Sequence, residues 1–280
     1  MREAVPAYLP SACFLGWLST KLSKNWCYKM ISKKILRVVV TVFGLGSSAV
    51  TADTSTEQRV PPVKFLQLSE TVWMHTSYKV FKKFGAYPSN GLVVVDGANS
   101  ILIDSAWTDA QTTEILDWAR NELGHPVKQA IFTHAHSDKM GGVGAVQARG
   151  IETHALALSN QIASASGLMP AEFDLTLNQN DKALNFGPVE VFYPGAGHSA
   201  DNLVAYVPEA GILFGGCLIR SARAKRLGNI ADANLMHWGD AVGSVQQQFS
   251  DATLVVPGHG EPAGAELLEL TFQLVTEHGR

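Results

Sequence analysis

The segment Thr133-His134-Ala135-His136-Ser137-Asp138-Lys139-Met140-Gly141-Gly142 places two imidazoles and a carboxylate within five residues, directly after an apolar run ending at Phe132. Extended backbone sends alternate residues to one face, so a strand would deliver His134 and His136, and Asp138 if it continued, to a common point. Imidazole nitrogen and carboxylate oxygen are donors that a borderline metal such as zinc accepts. The pattern recurs further along. His198 lies in Tyr-Pro-Gly-Ala-Gly-His-Ser-Ala-Asp-Asn, Cys217 ends Leu-Phe-Gly-Gly-Cys, and His259 lies in Val-Val-Pro-Gly-His-Gly, each after an apolar strand-like run and close to glycine. A lone histidine beside a strand is usually a hydrogen-bonded structural residue, and a lone buried cysteine usually a small hydrophobe. Six ligand-type residues in four such places point instead to a metal centre assembled at strand ends.

The elements that must position these groups are legible as runs of β-type residues at Val63–Leu68, Thr71–Tyr78, Gly91–Asp96 and Ile101–Asp104, with turns at Ser69-Glu70, Pro88–Gly91 and Gly97–Ser100. A helix is expected over Asp109–Leu123, then a strand at Val127–Phe132 leading into the histidine motif, and a helix opening at Gly141–Ala148. Ile151–His154 reads as a strand and Ala157–Ala165 as a helix. The second half repeats this grammar, with strands at Val189–Tyr193, Leu203–Val207, Ile212–Phe214 and Thr253–Val256, and helices at Asp232–Phe249 and Ala265–Glu277. Two runs of strands, each followed by helices, predict an α/β fold of two packed sheets with helices outside.

The first fifty residues follow different rules. From Met30 a basic stretch, the apolar run Val38–Phe43 and the mostly small residues Gly44–Ala52 form an export-signal pattern whose core is too short to span a membrane. Residues 30–52 are therefore expected to be a signal peptide and residues 53–280 the mature domain. Residues 1–29 are expected to be an upstream extension, with Met30 the true start; a long leader, or an anchor involving Ala12–Trp17, is the alternative. Residues 1–52 hold seven of the 22 Lys/Arg and one of the 25 Asp/Glu, so residues 53–280 carry a net charge of −9. An acidic chain without a basic patch does not bind nucleic acid by its electrostatics. Of three cysteines, Cys13 and Cys27 lie in the leader. Cys217 then has no disulfide partner within the mature chain, and in an oxidising compartment reactivity or metal ligation would give it a purpose.

His-X-His-X-Asp followed by single His, Cys and His residues resembles the metallo-β-lactamase superfamily, and within it subclass B1 with its VIM, IMP and NDM carbapenemase types. The resemblance spans nearly all of the mature chain and includes Tyr87–Leu92, Leu102–Asp104, Asn185–Pro188 with Val191–Gly195, Phe214–Cys217, and Leu227–Asn229 with Asp232-Ala233. It implies the αββα four-layer sandwich and two zinc ions, one held by His134, His136 and His198 and the other by Asp138, Cys217 and His259. Hydrolases of this fold such as glyoxalase II carry a further histidine after the Asp and an Asp in place of the cysteine. Here Lys139 and Cys217 stand at those positions, and both departures favour the lactamase reading.

The resemblance further implies hydrolysis of the β-lactam amide of penicillins, cephalosporins and carbapenems by zinc-bound hydroxide, without an acyl-enzyme. Asp138 and Asn229 would serve catalysis, Asn229 as a donor to the developing oxyanion. No Ser is followed three residues later by Lys, so the serine-lactamase route finds no support. Arg220 stands where family members place a Lys for the substrate carboxylate, with Arg223 and Lys225 nearby. His75–Pro88 would be a mobile hairpin closing over substrate through Phe81 and Phe84, or else a strand pair whose aromatics enter the core. Asp104 would orient a ligand histidine, or cap buried backbone. The expected protein is a periplasmic monomer without stable membrane association, active in antibiotic resistance. The competing readings are another exported thioester or lactone hydrolase of this fold, and a zinc-binding periplasmic protein without turnover.

Overall fold

The computed structural model describes residues 59–278; the expected leader and upstream extension lie outside that range. Strands β1 (Lys64–Gln67), β2 (Val72–Phe81), β3 (Gly85–Asp96), β4 (Asn99–Ile103), β5 (Val127–Ile131), β6 (Glu152–Leu156) and β7 (Phe173–Leu175) form one sheet in sequence order. Strands β8 (Leu184–Phe186), β9 (Val189–Phe192), β10 (Val204–Val207), β11 (Ile212–Gly216) and β12 (Leu254–Pro257) form the second, in the order β12-β11-β10-β9-β8. The helices are α1 (Asp109–Asn121), α2 (Ser137–Met140), α3 (Val143–Gln147), α4 (Ala157–Ala165), α5 (Leu235–Gln248) and α6 (Glu266–His278), with a 3₁₀ turn at Pro208–Ala210.

Alternation along the strands explains the layering. In β3, Leu92 and Val94 join Ile101, Ile103, Leu203, Ala205 and Phe214 in a cluster between the two sheets. Val93, one residue out of phase, packs with Leu102, Ala130 and Ile115 beneath α1 and α3. In the second sheet Leu203, Ala205 and Val207 face the other sheet, whereas Val204 and Tyr206 pack with Trp238, Val242 and Leu268 of α5 and α6. Strands apolar on both faces can only lie between layers, so the two sheets pack on each other and the helices cover the outsides. This is the expected αββα order. Among the described residues no helix is long and apolar enough to cross a membrane.

Three local expectations are corrected. Pro88–Gly91 is not a turn: it lies inside β3, paired with His75–Tyr78 of β2, and the hairpin reverses at Lys82–Phe84 instead. Pro88 and glycine suggested a break, but ten registered pairs with β2 absorb both. Asp138 does not continue a strand alternation. The chain leaves β5 at Ile131 and turns into α2, which presents Asp138 and Lys139 from a helical turn. Asp232 does not begin a helix; α5 starts at Leu235, capped by Asn234, whose side chain accepts from the His237 backbone N–H. The short strands β7 and β8, with three residues each, carry too little periodicity to be read in advance.

Just past β4 the chain makes an unusual bend. Asp104 has φ +61°, a left-handed conformation that costs a non-glycine residue of order 1 kcal/mol or more. Buried His75 holds it there, with its Nε2 3.2 Å from the Asp104 carbonyl oxygen in the sense of a donor. Burial lowers the His75 pKa to about 3, and the Lys139 charge adds to the effect. The unfolded chain takes up this proton near the ordinary value of 6.5, the folded chain only near 3. Between those values the unfolded state binds more protons, so stability falls as the pH drops, by up to about 1.4 kcal/mol per unit for this one group. A His75→Gln variant, which keeps a donor without the titration, is expected to show a shallower loss of unfolding free energy in denaturant titrations from pH 7 to pH 4. Parallel slopes for the two proteins would remove His75 from this account.

Candidate metal centre

Loops at one end of both sheets carry all six ligand-type residues to one place. Backbone contacts lock these loops together: Leu203 N–H donates to the Thr133 carbonyl, Ala135 N–H to the Asp201 carboxylate, and Asn90 N–H to the Gly258 carbonyl. The Asn90 side chain adds bonds to the carbonyls of Pro257 at 3.0 Å and Gly260 at 2.7 Å, fastening the His259 loop to β3. Gly258 has to lack a side chain, since a Cβ there would stand 2.7 Å from both the backbone nitrogen and the Sγ of Cys217.

The donors form two triads. His136 Nδ1 lies 3.1 Å from His134 Nε2 and 3.2 Å from His198 Nε2. Cys217 Sγ lies 3.3 Å from His259 Nε2 and 3.6 Å from Asp138 Oδ2, and these last two are 3.4 Å apart. A His134 ring nitrogen also lies within 4.8 Å of donor atoms of Asp138 and Cys217, so the triads adjoin.

For three of the four rings the other nitrogen shows which form faces inward; His198 Nδ1 is buried without a partner. Thr133 Oγ1 donates to Asp104 at 2.8 Å, so at 3.1 Å it can only accept from His134 Nδ1–H, which leaves Nε2 as a lone pair. His136 Nε2 stands 3.1 Å from the Asp232 carboxylate, an acceptor, so its Nδ1 is the lone pair. His259 Nδ1 donates to the Pro88 carbonyl at 2.6 Å, leaving Nε2 bare beside the cysteine sulfur. The His134 and His136 lone pairs, 3.1 Å apart, repel one another unless a cation sits between them. The donor set therefore fits metal, with three imidazoles in one triad and carboxylate, thiolate and imidazole in the other.

The electrostatics point the same way. Burial lowers His198 to about 3 and His259 to about 4, and pushes His134 well down, so these rings are neutral ligands at pH 7. Burial raises the Cys217 thiol, with the Asp138 charge adding to it; a bound cation reverses this by taking the thiolate as ligand. Burial alone would raise Asp138 too, but the Lys139 ammonium and the neighbouring imidazoles hold it far below the usual carboxylate range.

Lys139 was expected only as a place where a ligand is missing. It is in fact 0 % exposed and lies directly beneath the second triad. Its Nζ donates to Ser89 Oγ at 2.8 Å and to the Asn90 carbonyl at 2.9 Å, and lies 3.4 Å from Asp138 and 3.8 Å from Asp104. Ser89 passes the contact on, its hydroxyl lying 3.1 Å from Asp138 Oδ2. Burial works against the ammonium, yet the Cys217, Asp138 and Asp104 charges raise its pKa. Burial lifts Asp104 to about 6 despite Lys139 and the two Thr133 bonds, so Asp104 is ionised at neutral pH.

Above the triads opens a cleft of about 520 Å³ whose lining includes Arg220, Asn229, Phe81, Phe84, Tyr87 and Trp107. Asn229 accepts from Ala231 N–H through its carbonyl oxygen, which leaves the amide N–H groups as donors. The Arg220 guanidinium is near Gly228, where a Cβ would meet its nitrogens at 3.0 and 3.1 Å; Gly228, at φ +82°, gives it room. Arg223 and Lys225 are exposed and do not line the cleft. Phe81 stacks on Phe84 at 4.8 Å, and neither enters the core. Asp104 reaches His134 through Thr133, not directly. Sequence reasoning gave no role to Asp232, Thr133 or Trp107, although Asp232 stands in one of the family-like segments and Thr133 directly before a ligand-type histidine.

With this geometry in view, likeness to known proteins becomes informative. Residues 84–259 match the model of the metallo-beta-lactamase superfamily. The chain belongs to this superfamily, in class B. A type 2 metallo-beta-lactamase of Bacillus cereus is 38% identical over 243 residues, covering 84% of this chain and 93% of that protein. One of Bacteroides fragilis is 34% identical, covering 77% and 86%. The crystal structure of the metallo-beta-lactamase FIM-1 from Pseudomonas aeruginosa, in its mono-zinc form, has 48% identity and a TM-score of 0.76, covering 78% of this chain and 97% of that one. A metallo-beta-lactamase from Hirschia baltica has 45% identity and a TM-score of 0.75, covering 77% and 98%.

In this metallo-β-lactamase, Lys139→Met would leave two carboxylates buried together without their cation. Removing one partner of such a buried set costs about 3–5 kcal/mol. Denaturant unfolding in chelator, which excludes any metal contribution, is expected to show that loss. A change under about 1 kcal/mol would mean that the ammonium is not the compensating charge.

Proposed function

We propose that this enzyme hydrolyses the β-lactam amide of penicillins, cephalosporins and carbapenems with two zinc ions, one held by His134, His136 and His198 and the other by Asp138, Cys217 and His259. The observation that carries the reading is the pair of adjoining donor triads, lone pairs inward, at the floor of a cleft that also presents Arg220 and Asn229. Zinc bound there supplies Lewis acidity and a water acidic enough to act as nucleophile at neutral pH.

The chain's own groups account for the remaining chemistry. Arg220 offers a planar, doubly donating guanidinium to the carboxylate found on bicyclic β-lactams. Its Nε is buried without a protein partner, which supports a role for an outside acceptor. Anchoring that carboxylate leaves the lactam carbonyl over the triads, where the Asn229 amide N–H can donate to the oxygen as it gains charge. Asp138 is held as an anion by Lys139 and Ser89, so it accepts a hydrogen bond from the nucleophile without moving. Phe81, Phe84 and Trp107 supply apolar contact to the ring scaffold and limit water around it. The hairpin Val72–Asp96 acts as the closing element, moving over substrate through its tip at Lys82–Phe84. The enzyme works as a periplasmic monomer after removal of residues 1–52, and protects its host from β-lactam antibiotics.

Purified enzyme assayed with a penicillin, a cephalosporin and a carbapenem is expected to open all three, and to lose activity in chelator and regain it with zinc. No chelator-sensitive ring opening of any of the three would sink the hydrolase reading. Cys217→Ser is expected to lower the zinc content from two to one per chain and kcat/KM by about a hundredfold. An unchanged content of two would contradict the ligand assignment.

A further inference from the structure

The register of the β2–β3 hairpin sets which of its side chains face the cleft. Ser77 pairs with Ser89, Lys79 with Tyr87 and Phe81 with Gly85, and directly paired residues share a face. That face rises from the metal donors: Ser89 touches Asp138, the Tyr87 ring lies 4.8 Å from that of His259, and Phe81 stacks on Phe84 at the tip. Lys79 is thereby placed in the cleft wall. Its Nζ stands 5.3 Å from the Trp107 ring centroid and 5.5 Å from that of Phe81. Among the described residues no carboxylate lies within ion-pair distance of it. Both rings lie within cation–π reach of an ammonium that remains exposed and has no carboxylate partner.

Charge is concentrated here against the trend of the chain. Residues 79–84 carry Lys79, Lys82 and Lys83 and no acid, whereas residues 53–280 are net negative. Lys79 and Arg220 are the two Lys or Arg side chains lining the cleft. A penicillin has its ring carboxylate on the carbon bonded to the lactam nitrogen, and its acylamino arm on the carbon bonded to the lactam carbonyl, at the other end of the scaffold. One cation can take the first of these anchors; a second cation has no partner on a monoanionic substrate.

We propose that Lys79 is a specificity-determining residue that selects β-lactams bearing a second anionic group, a carboxylate on the acylamino arm. This rests on the proposed hydrolase function and on Arg220 taking the ring carboxylate. Set beside the edge-to-face pair of Phe81 and Trp107, the Lys79 ammonium meets the arm's carboxylate as the ring carboxylate reaches Arg220. Lys82 and Lys83 add an attractive field at the rim that raises encounter rates for dianions at low salt.

The test compares benzylpenicillin with α-carboxybenzylpenicillin, which differs from it by one carboxylate on the arm. The zinc-loaded full enzyme and its Lys79→Met and Lys79→Arg variants are assayed at low and high ionic strength. Lys79 is exposed, so folding and zinc content serve as controls that should not change. In K79M, kcat/KM for the dianion is expected to fall about fivefold through KM, while that for benzylpenicillin stays within about twofold; K79R restores the preference. The wild-type preference should shrink as salt rises. Tryptophan fluorescence of the chelated enzyme, where nothing turns over, should report the same roughly fivefold loss of affinity for the dianion alone. Equal losses on both substrates would place Lys79 on the shared ring carboxylate and overturn the proposal. No loss on either would overturn it as well. If the wild-type enzyme opens neither penicillin, the hydrolase reading itself fails, an outcome distinct from hydrolysis of both with a ratio indifferent to residue 79.

Discussion

One buried ammonium organises this molecule. A lysine withdrawn wholly from water costs several kcal/mol unless its charge and its N–H groups are matched. Lys139 meets that requirement by touching β3 through Ser89 and Asn90, α2 through Asp138, and the end of β4 through Asp104. Each partner has a second task. Asn90 fastens the His259 loop, Asp138 is a donor of the second triad, and Asp104 fixes the His134 ring through Thr133. The cation therefore ties together the loops of the first sheet, and Asn90 carries that tie to the His259 loop of the second.

The same economy governs three of the four donor rings, His198 having no acceptor for its Nδ1. An imidazole bound through one nitrogen needs an acceptor for the other, or its tautomer and orientation are undefined. The chain supplies three kinds: a hydroxyl backed by a carboxylate for His134, a carboxylate for His136, and a backbone carbonyl for His259. They differ in charge. Asp232 is exposed and tempered by solvent, whereas Asp104 acts from full burial and through an intermediary. A directly bonded buried carboxylate would pull the His134 proton harder; the intervening hydroxyl transmits orientation with less charge.

What could be read in advance divides along a physical line. Period-two alternation is local, so the two-sheet sandwich and most strands and helices were visible. The six donor-type residues that the fold brings together could be picked out because their residue types are those metal ligation favours, whatever their neighbours. The path of the chain between them was not. His134 to Asp138 looked like one strand face, but the chain turns into α2, and a helical turn brings Asp138 to the second triad instead of the first. Pro88 and Gly91 looked like a turn because their local preference is strong, and ten cross-strand pairs outweigh it. The roles of Lys139 and Asp232 were hidden for a different reason. A charged residue next to a motif is ordinarily solvated, and only the fold reveals that one of them has no water and the other points at a ring.

The hairpin shows how much a register decides. Side chains alternate along β2, so moving its pairing by one residue would turn Lys79 and Phe81 outward and bring Tyr78 and Val80 to the cleft. Pairing is set at the base, where Met74 and Leu92 lie directly opposite and both enter the core between the sheets. The distant tip inherits that choice along ten paired residues. Chemistry at the cleft mouth is therefore fixed by apolar burial far beneath it, while the tip itself, with Phe84 exposed, is left to vary. A metal floor held by a buried charge network and a wall set only by register are constrained to different degrees. Near the floor the wall still touches the donors through Ser89 and Tyr87, and only towards the tip do its side chains stand clear of them.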